Sequence, residues 1–166
     1  MKNLFLIAII VLGFSGVSFG QDTETALASA TIITPISLTK VNNMNFGNVA
    51  VTSTAGTVIL TPASSRTKSG GVTLPVVGGT VTAASFTVAG EGASTYAITL
   101  PTTDIIIKFG TNTMTVNTFT STPSATGALT AGTQTLSVGA TLNVGISQAA
   151  GLYVSETPFD VTVNYN

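Results

Sequence analysis

The sequence has 166 residues and a net charge of −1, with 7% charged residues and no Cys, His or Trp. Five Lys+Arg against six Asp+Glu provide no basic footprint for phosphates, which excludes a nucleic-acid binder; the lack of His and Cys excludes zinc, haem and iron–sulfur sites and every Cys- or His-dependent triad. A hydrophobic content of 44% argues against disorder, and a length near ~150 residues fits one domain.

The chain opens with Lys2, an apolar run from Leu4 to Phe14 interrupted only by Gly13, and the small pair Ser18 and Gly20 flanking Phe19. This is the pattern of an export leader, with cleavage expected before Gln21. The run is too short for about 30 Å of hydrocarbon, and no stop-transfer charges follow, so no transmembrane segment is expected in the mature chain. The expected organisation is a signal peptide at 1–20, an N-terminal extension at 21–33 and a β-sandwich domain at 34–166.

From Gln21 onward Thr, Val, Ala and Gly dominate, and alternation of period 2 recurs where a helical period of 3.6 does not. Ala26, Ala28, Ala30 and Ile32 alternate with Leu27, Ser29, Thr31 and Ile33. Further strand signals lie at 44–51, at Thr57–Leu60 before Thr61-Pro62, at Val72–Leu74 before Pro75, and at Val81–Val88. They continue at Tyr96–Leu100, Ile105–Ile107, Met114–Thr118, Leu136–Val138, Leu142–Ile146 and Phe159–Tyr165. Gly70-Gly71, Gly78-Gly79, Gly90-Glu91-Gly92 and Thr122-Pro123-Ser124 read as turns or loops between them. Short strands at this spacing predict an all-β, immunoglobulin-like antiparallel sandwich.

Groups able to do chemistry are few. After the leader the carboxylates are Asp22, Glu24, Glu91, Asp104, Glu156 and Asp160. A glycosidase needs two of them facing across a cleft; Glu91 with Glu156 is the pair to consider, against the simpler reading that each caps a turn or solvates a loop. No compact run of oxygen ligands suggests calcium. Arg66 and Lys68 read as a solvated loop tip, with contact to an acidic glycan as the functional alternative. Phe46, Phe86, Phe109, Phe119 and Phe159 read as core residues. No catalytic, cofactor-binding or metal-binding residue is expected, no cofactor is implied, and an enzyme is not the expected reading.

Three stretches carry a family resemblance. The first runs from Ile33 through Asn48, with Pro35-Ile36-Ser37-Leu38-Thr39-Lys40 and Met44-Asn45-Phe46-Gly47-Asn48. The second is Phe86–Gly90 with Tyr96–Pro101. The third is Val138–Val144, Gln148, Gly151-Leu152-Tyr153 and the ending Phe159–Asn166. With these the chain resembles the exported bacterial family called domain of unknown function 4402. The ending also resembles subunits of chaperone–usher pili and their spore coat U and common-pilus relatives, from which the Ser155–Pro158 link departs. That resemblance implies a sandwich lacking one strand, completed by a strand from another subunit. It implies Ala26, Ala28, Ala30 and Ile32 as the apolar positions of a candidate donor strand. It implies Phe159, Val161, Val163 and Tyr165 as one face of a C-terminal zipper strand. The counter-reading is that residues 26–38 form the protein's own first strand. The resemblance further implies self-association or pairing with related pilin-like subunits, a periplasmic chaperone and usher, and a place in the periplasm, outer surface or fimbrium of a Gram-negative bacterium. The rival expectation is a monomeric secreted surface protein that binds a glycan or host ligand.

Overall fold

The computed structural model describes residues 20–166; the leader expected at 1–20 lies outside the described residues except for Gly20. Among the described residues there is no helix, and eleven strands form two antiparallel sheets in a sandwich-like arrangement. The strands are β1 (Ser37–Asn42), β2 (Ala50–Leu60), β3 (Arg66–Thr73), β4 (Ala84–Ala89), β5 (Thr95–Thr99), β6 (Ile105–Phe109), β7 (Asn112–Thr122), β8 (Thr126–Ala128), β9 (Thr133–Val144), β10 (Val154–Ser155) and β11 (Thr162–Tyr165).

The larger sheet is organised on β9. One edge of β9 pairs with β4 along its first half and with β2 along its second. Its other edge pairs with β7, followed outward by β6 and β10. β1 lies outside β4, and β3 outside β2. β7 crosses from one half of β9 to the other through a bulge between Asn117 and Thr120, where Thr118 has φ 50°, an uncommon conformation for a β-branched residue. The smaller sheet has the order β11-β5-β8.

Even-numbered residues of β9 point inward, as period 2 requires, and they serve two cores. Leu136 and Val138 join Phe86, Val88, Tyr96, Leu129 and Val163 in the first, between the two sheets. Ala140, Leu142 and Val144 join Val58, Val72 and Val116 in the second. No residue of β5, β8 or β11 belongs to the second core. The smaller sheet therefore covers half of the larger one, and Met44, Phe46 and Val49 of the β1–β2 connection are what pack on the other half. Tyr96 is fully buried, and its hydroxyl donates to Gln134 Oε1 at 2.7 Å, so the polar end of this large side chain is satisfied. Gly127 makes room for that ring, since a Cβ there would collide with it.

Six sequence expectations need correction. Phe109, read as a core residue, is 41% exposed, and the signal at 44–51 yields only an isolated bridge at Asn45 before β2 begins at Ala50. The alternation at 26–33 forms no strand, and the first strand starts at Ser37 rather than Ala26. Gly70-Gly71 is not a turn but part of β3, opposite the irregularity between Val51 and Gly56 of β2. Arg66 and Lys68 lie in β3 as well; Arg66 is half-buried, and its guanidinium donates to the carbonyls of Phe46 and, at 2.9 Å, Asn48. The signals at 136–138 and 142–146 are one continuous strand ending at Val144, and Ile146 beyond it is 66% exposed.

Candidate functional site

Residues 20–32 carry no strand and are exposed throughout, with Leu27 and Ile32 open to solvent. This segment contains Ala26, Ala28, Ala30 and Ile32, all exposed. It belongs to a unit that ends at Ile32, and a second unit runs from Ile33 to Asn166.

The second unit begins at a clamp. Thr34 N–H donates to the Glu91 carboxylate at 3.1 Å, and the Tyr165 hydroxyl donates to Thr34 C=O at 2.8 Å. The same hydroxyl accepts from Glu91 N–H at 2.6 Å. One phenol thus joins the last strand, the β4–β5 loop and the residue before Pro35. Gly90 lets the ring pass, because a Cβ there would run into the Tyr165 hydroxyl. The Thr34 N–H held at its carboxylate lowers the Glu91 pKa below the ordinary 4.5.

β11 pairs with β5 on one edge only. Val163 is buried in the first core, and Phe159, Val161 and Tyr165 are half-buried against it, with the Phe159 ring 5.1 Å from that of Phe119. The four residues expected on one face do share it. Sequence reasoning missed the part Tyr165 plays as a fastener: the alternation marks its ring as inward but says nothing of the hydroxyl.

An apolar groove of about 1100 Å³ opens over the second core. Its floor includes Phe86, Ile105, Ile107, Met114, Leu142 and Val144. One wall is the chain from Asn42 to Val51, held in place by Arg66; the other is the chain from Gln148 to Ser155, with Pro158 and Phe159. Lys40 is the one charged residue among those lining it. The second wall is thinly attached. Its only ladder is β10 on β6, where Val154 faces Lys108 and Ser155 faces Ile107. A Lys108–Glu156 ion pair at 2.7 Å, with both side chains largely exposed, adds little. Gln148 Nε2 donates to Thr113 C=O at 3.1 Å, and the Tyr153 ring lies 5.8 Å from that of Phe109. Leu152 and Val154 point outward, 78% and 56% exposed, so the wall does not fill the groove beneath it.

A second, more polar cleft of about 670 Å³ is rimmed by Asp104, Lys108, Glu156, Asp160 and the threonines 99, 102, 103, 157 and 162. Glu156 is engaged by Lys108, and Glu91 by Thr34, so the two candidate glycosidase carboxylates serve different contacts. Among the described residues no group of three or more Asp, Glu, His or Cys converges where a metal ion could be held. No helix among them is long and apolar enough to cross a membrane.

The family model described as a domain of unknown function (DUF4402) matches residues 36–165, from the residue before β1 to the last residue of β11. Neither the curated proteins nor the solved structures provide a match.

Proposed function

Starting from the fact that this chain belongs to the DUF4402 family, a domain of unknown function, we propose that it is a non-catalytic structural or adhesive subunit of a bacterial surface or fimbrial assembly. It polymerises by giving residues 21–33 as a β-strand to a neighbouring copy. In this reading it is exported, and a periplasmic chaperone and usher handle it before assembly. The observation that carries the reading is the segment itself. An alternating stretch with Ala26, Ala28, Ala30 and Ile32 stands exposed and unpaired into any ladder, ahead of a β domain that starts at the Thr34 clamp. Such a strand finds both its backbone partners and its apolar contacts by adding to a sheet edge of another chain.

Non-boiled gels of surface extracts test this. The full chain should give a ladder, and a chain lacking residues 21–33 a single low band. A full chain that stays monomeric at every concentration, and unfolds when 21–33 are removed, would refute strand donation. The threonine- and carboxylate-rimmed polar cleft favours a second reading, a monomeric secreted surface protein that binds a glycan there. In that case sedimentation would show one species whatever the concentration, and glycan binding would survive deletion of 21–33.

A further inference from the structure

We propose that the acceptor for residues 21–33 of a second copy is the outer edge of β6 together with the apolar groove, and that the chain between Gly145 and Val161 is a strap that must swing away to admit it. This inference rests on the strand-donation reading for its occupant. It differs from what the pilin resemblance implies, because it places the incoming strand away from β11.

Leu142 and Val144 of the second core are buried, but Ile105, Ile107 and Met114 beside them are only half-buried and face a groove of about 1100 Å³. The smaller sheet does not extend over it. The strap spans it but presents Leu152 and Val154 to solvent instead of the floor. The edge beside the groove is also underused. β6 has five residues, and β10 pairs with two of them, leaving Ile105, Ile106 and Phe109 without a ladder partner on that side. β10 occupies the edge an incoming strand would need, so the strap both marks and blocks the site.

The segment 21–33 has the matching properties. It is longer than β6, so it can pair along the whole edge with residues to spare. Its alternating small residues can sit above a floor already built of large ones. Its charges are the acidic Asp22 and Glu24, and the charged residue at the groove is Lys40. Between Ser147 and Glu156 the strap is held by a two-residue ladder, the Tyr153–Phe109 ring contact and a few mostly exposed polar contacts, the kind of element that opens locally at low cost, while Phe159 on Phe119 anchors its far end.

The chain has no cysteine, so a single engineered disulfide can lock the strap. Lys108→Cys with Val154→Cys uses residues facing each other across the β6–β10 ladder, where Cα separations of roughly 4.5–5.5 Å suit a disulfide. The probe is a fluorescent peptide with the sequence of residues 21–33, carrying a photo-cross-linker at the Ala28 position, added to the chain Gln21–Asn166. The reduced protein should take up the peptide; oxidation should cut uptake at least about tenfold, and reductant should restore it. Cross-links should fall on Ile107 or Met114. Native-state hydrogen exchange at Val154 and Ser155 should be at least about a hundredfold faster than in β9. Unchanged β9 protection in the oxidised form shows that the fold is intact; if it is lost, Ile107→Cys with Ser155→Cys provides the lock instead. Uptake insensitive to the lock, or cross-links to Leu38 or Val163, would sink this acceptor and leave strand donation standing. With the cross-linker placed instead at position 28 of the chain itself, a cross-link to Ile107 or Met114 of the same chain in a monomer would refute the second copy as occupant. No uptake in either form by a chain that stays monomeric would sink strand donation and the acceptor with it. Strap amides as protected as those of β9 would refute the swinging strap on their own.

Discussion

Replacing Tyr165 with Phe removes one oxygen and keeps the ring. The structure assigns that oxygen two backbone partners, Glu91 N–H at 2.6 Å and Thr34 C=O at 2.8 Å. A net hydrogen bond contributes about 0.5–1.5 kcal/mol, and stranding a buried partner costs more. Thr34 is exposed, so water can replace the hydroxyl at its carbonyl; the Glu91 amide is partly buried and is less easily rescued. The sum is about 1–2 kcal/mol. In a domain of this size each kcal/mol lowers Tm by roughly 2–4 °C, so the fall should be about 2–8 °C. Calorimetry of the variant beside Tyr153→Phe gives the comparison. The Tyr153 hydroxyl also makes two bonds, to Gln148 and Ala149, but both lie within the strap, and its loss should leave Tm nearly unchanged.

The same geometry predicts coupling. Gly90→Ala puts a methyl group where the Tyr165 hydroxyl sits, which forces the ring aside and breaks the clamp, at about 1–3 kcal/mol for overpacking. Once the hydroxyl is gone, much of that cost is gone too. The double variant should therefore lose less stability than the two single variants added together. Strict additivity, or a Tyr165→Phe variant melting within about 1 °C of the parent, would refute the clamp as a source of stability.

Val163→Asp sets a charge in the first core beside Ile98, and soluble protein should fail to accumulate in expression trials, whereas Val163→Ile should be tolerated. Glu91 has a folded pKa below its ordinary 4.5, so its contribution is present above that value and is lost as pH falls through the lower folded value; Glu91→Gln should flatten that part of an acid-denaturation profile. Intact mass of exported protein should correspond to a start at Gln21, and a mass retaining Met1–Gly20 would contradict the leader reading. Single Ala substitutions at Asp104, Glu156 and Asp160 should each shift stability by no more than about 0.5 kcal/mol and leave assembly on gels unchanged; loss of function in a folded, exported variant would count against a non-catalytic role.

Most strands were legible because alternation of period 2 survives wherever one face is buried. Phe86 and Val88, Tyr96 and Ile98, and Phe159 to Tyr165 all lie on the faces the pattern assigns. Glycine misled in two places, since the same residue that makes a turn also permits close backbone approach inside a strand. Gly70-Gly71 sits in β3, and Gly139, in the gap left between the signals at 136–138 and 142–146, lies within β9 where the end of β2 comes too close for any side chain. Arg66 looked like a loop charge because its partners are the carbonyls of Phe46 and Asn48, and a main-chain acceptor leaves no trace in side-chain composition. The groove was illegible for a different reason: periodicity reports that a face is apolar, not what covers it. Residues 26–32 and 159–165 show the same alternation, yet one is exposed and the other packed on the first core. They differ in size. Phe, Val and Tyr each offer about 1.5–3 kcal/mol when buried, enough to hold a strand against its ordering entropy, while Ala offers far less. A segment of alternating Ala cannot fix its own place by burial alone, and this is the physical ground on which the proposed strand donation rests.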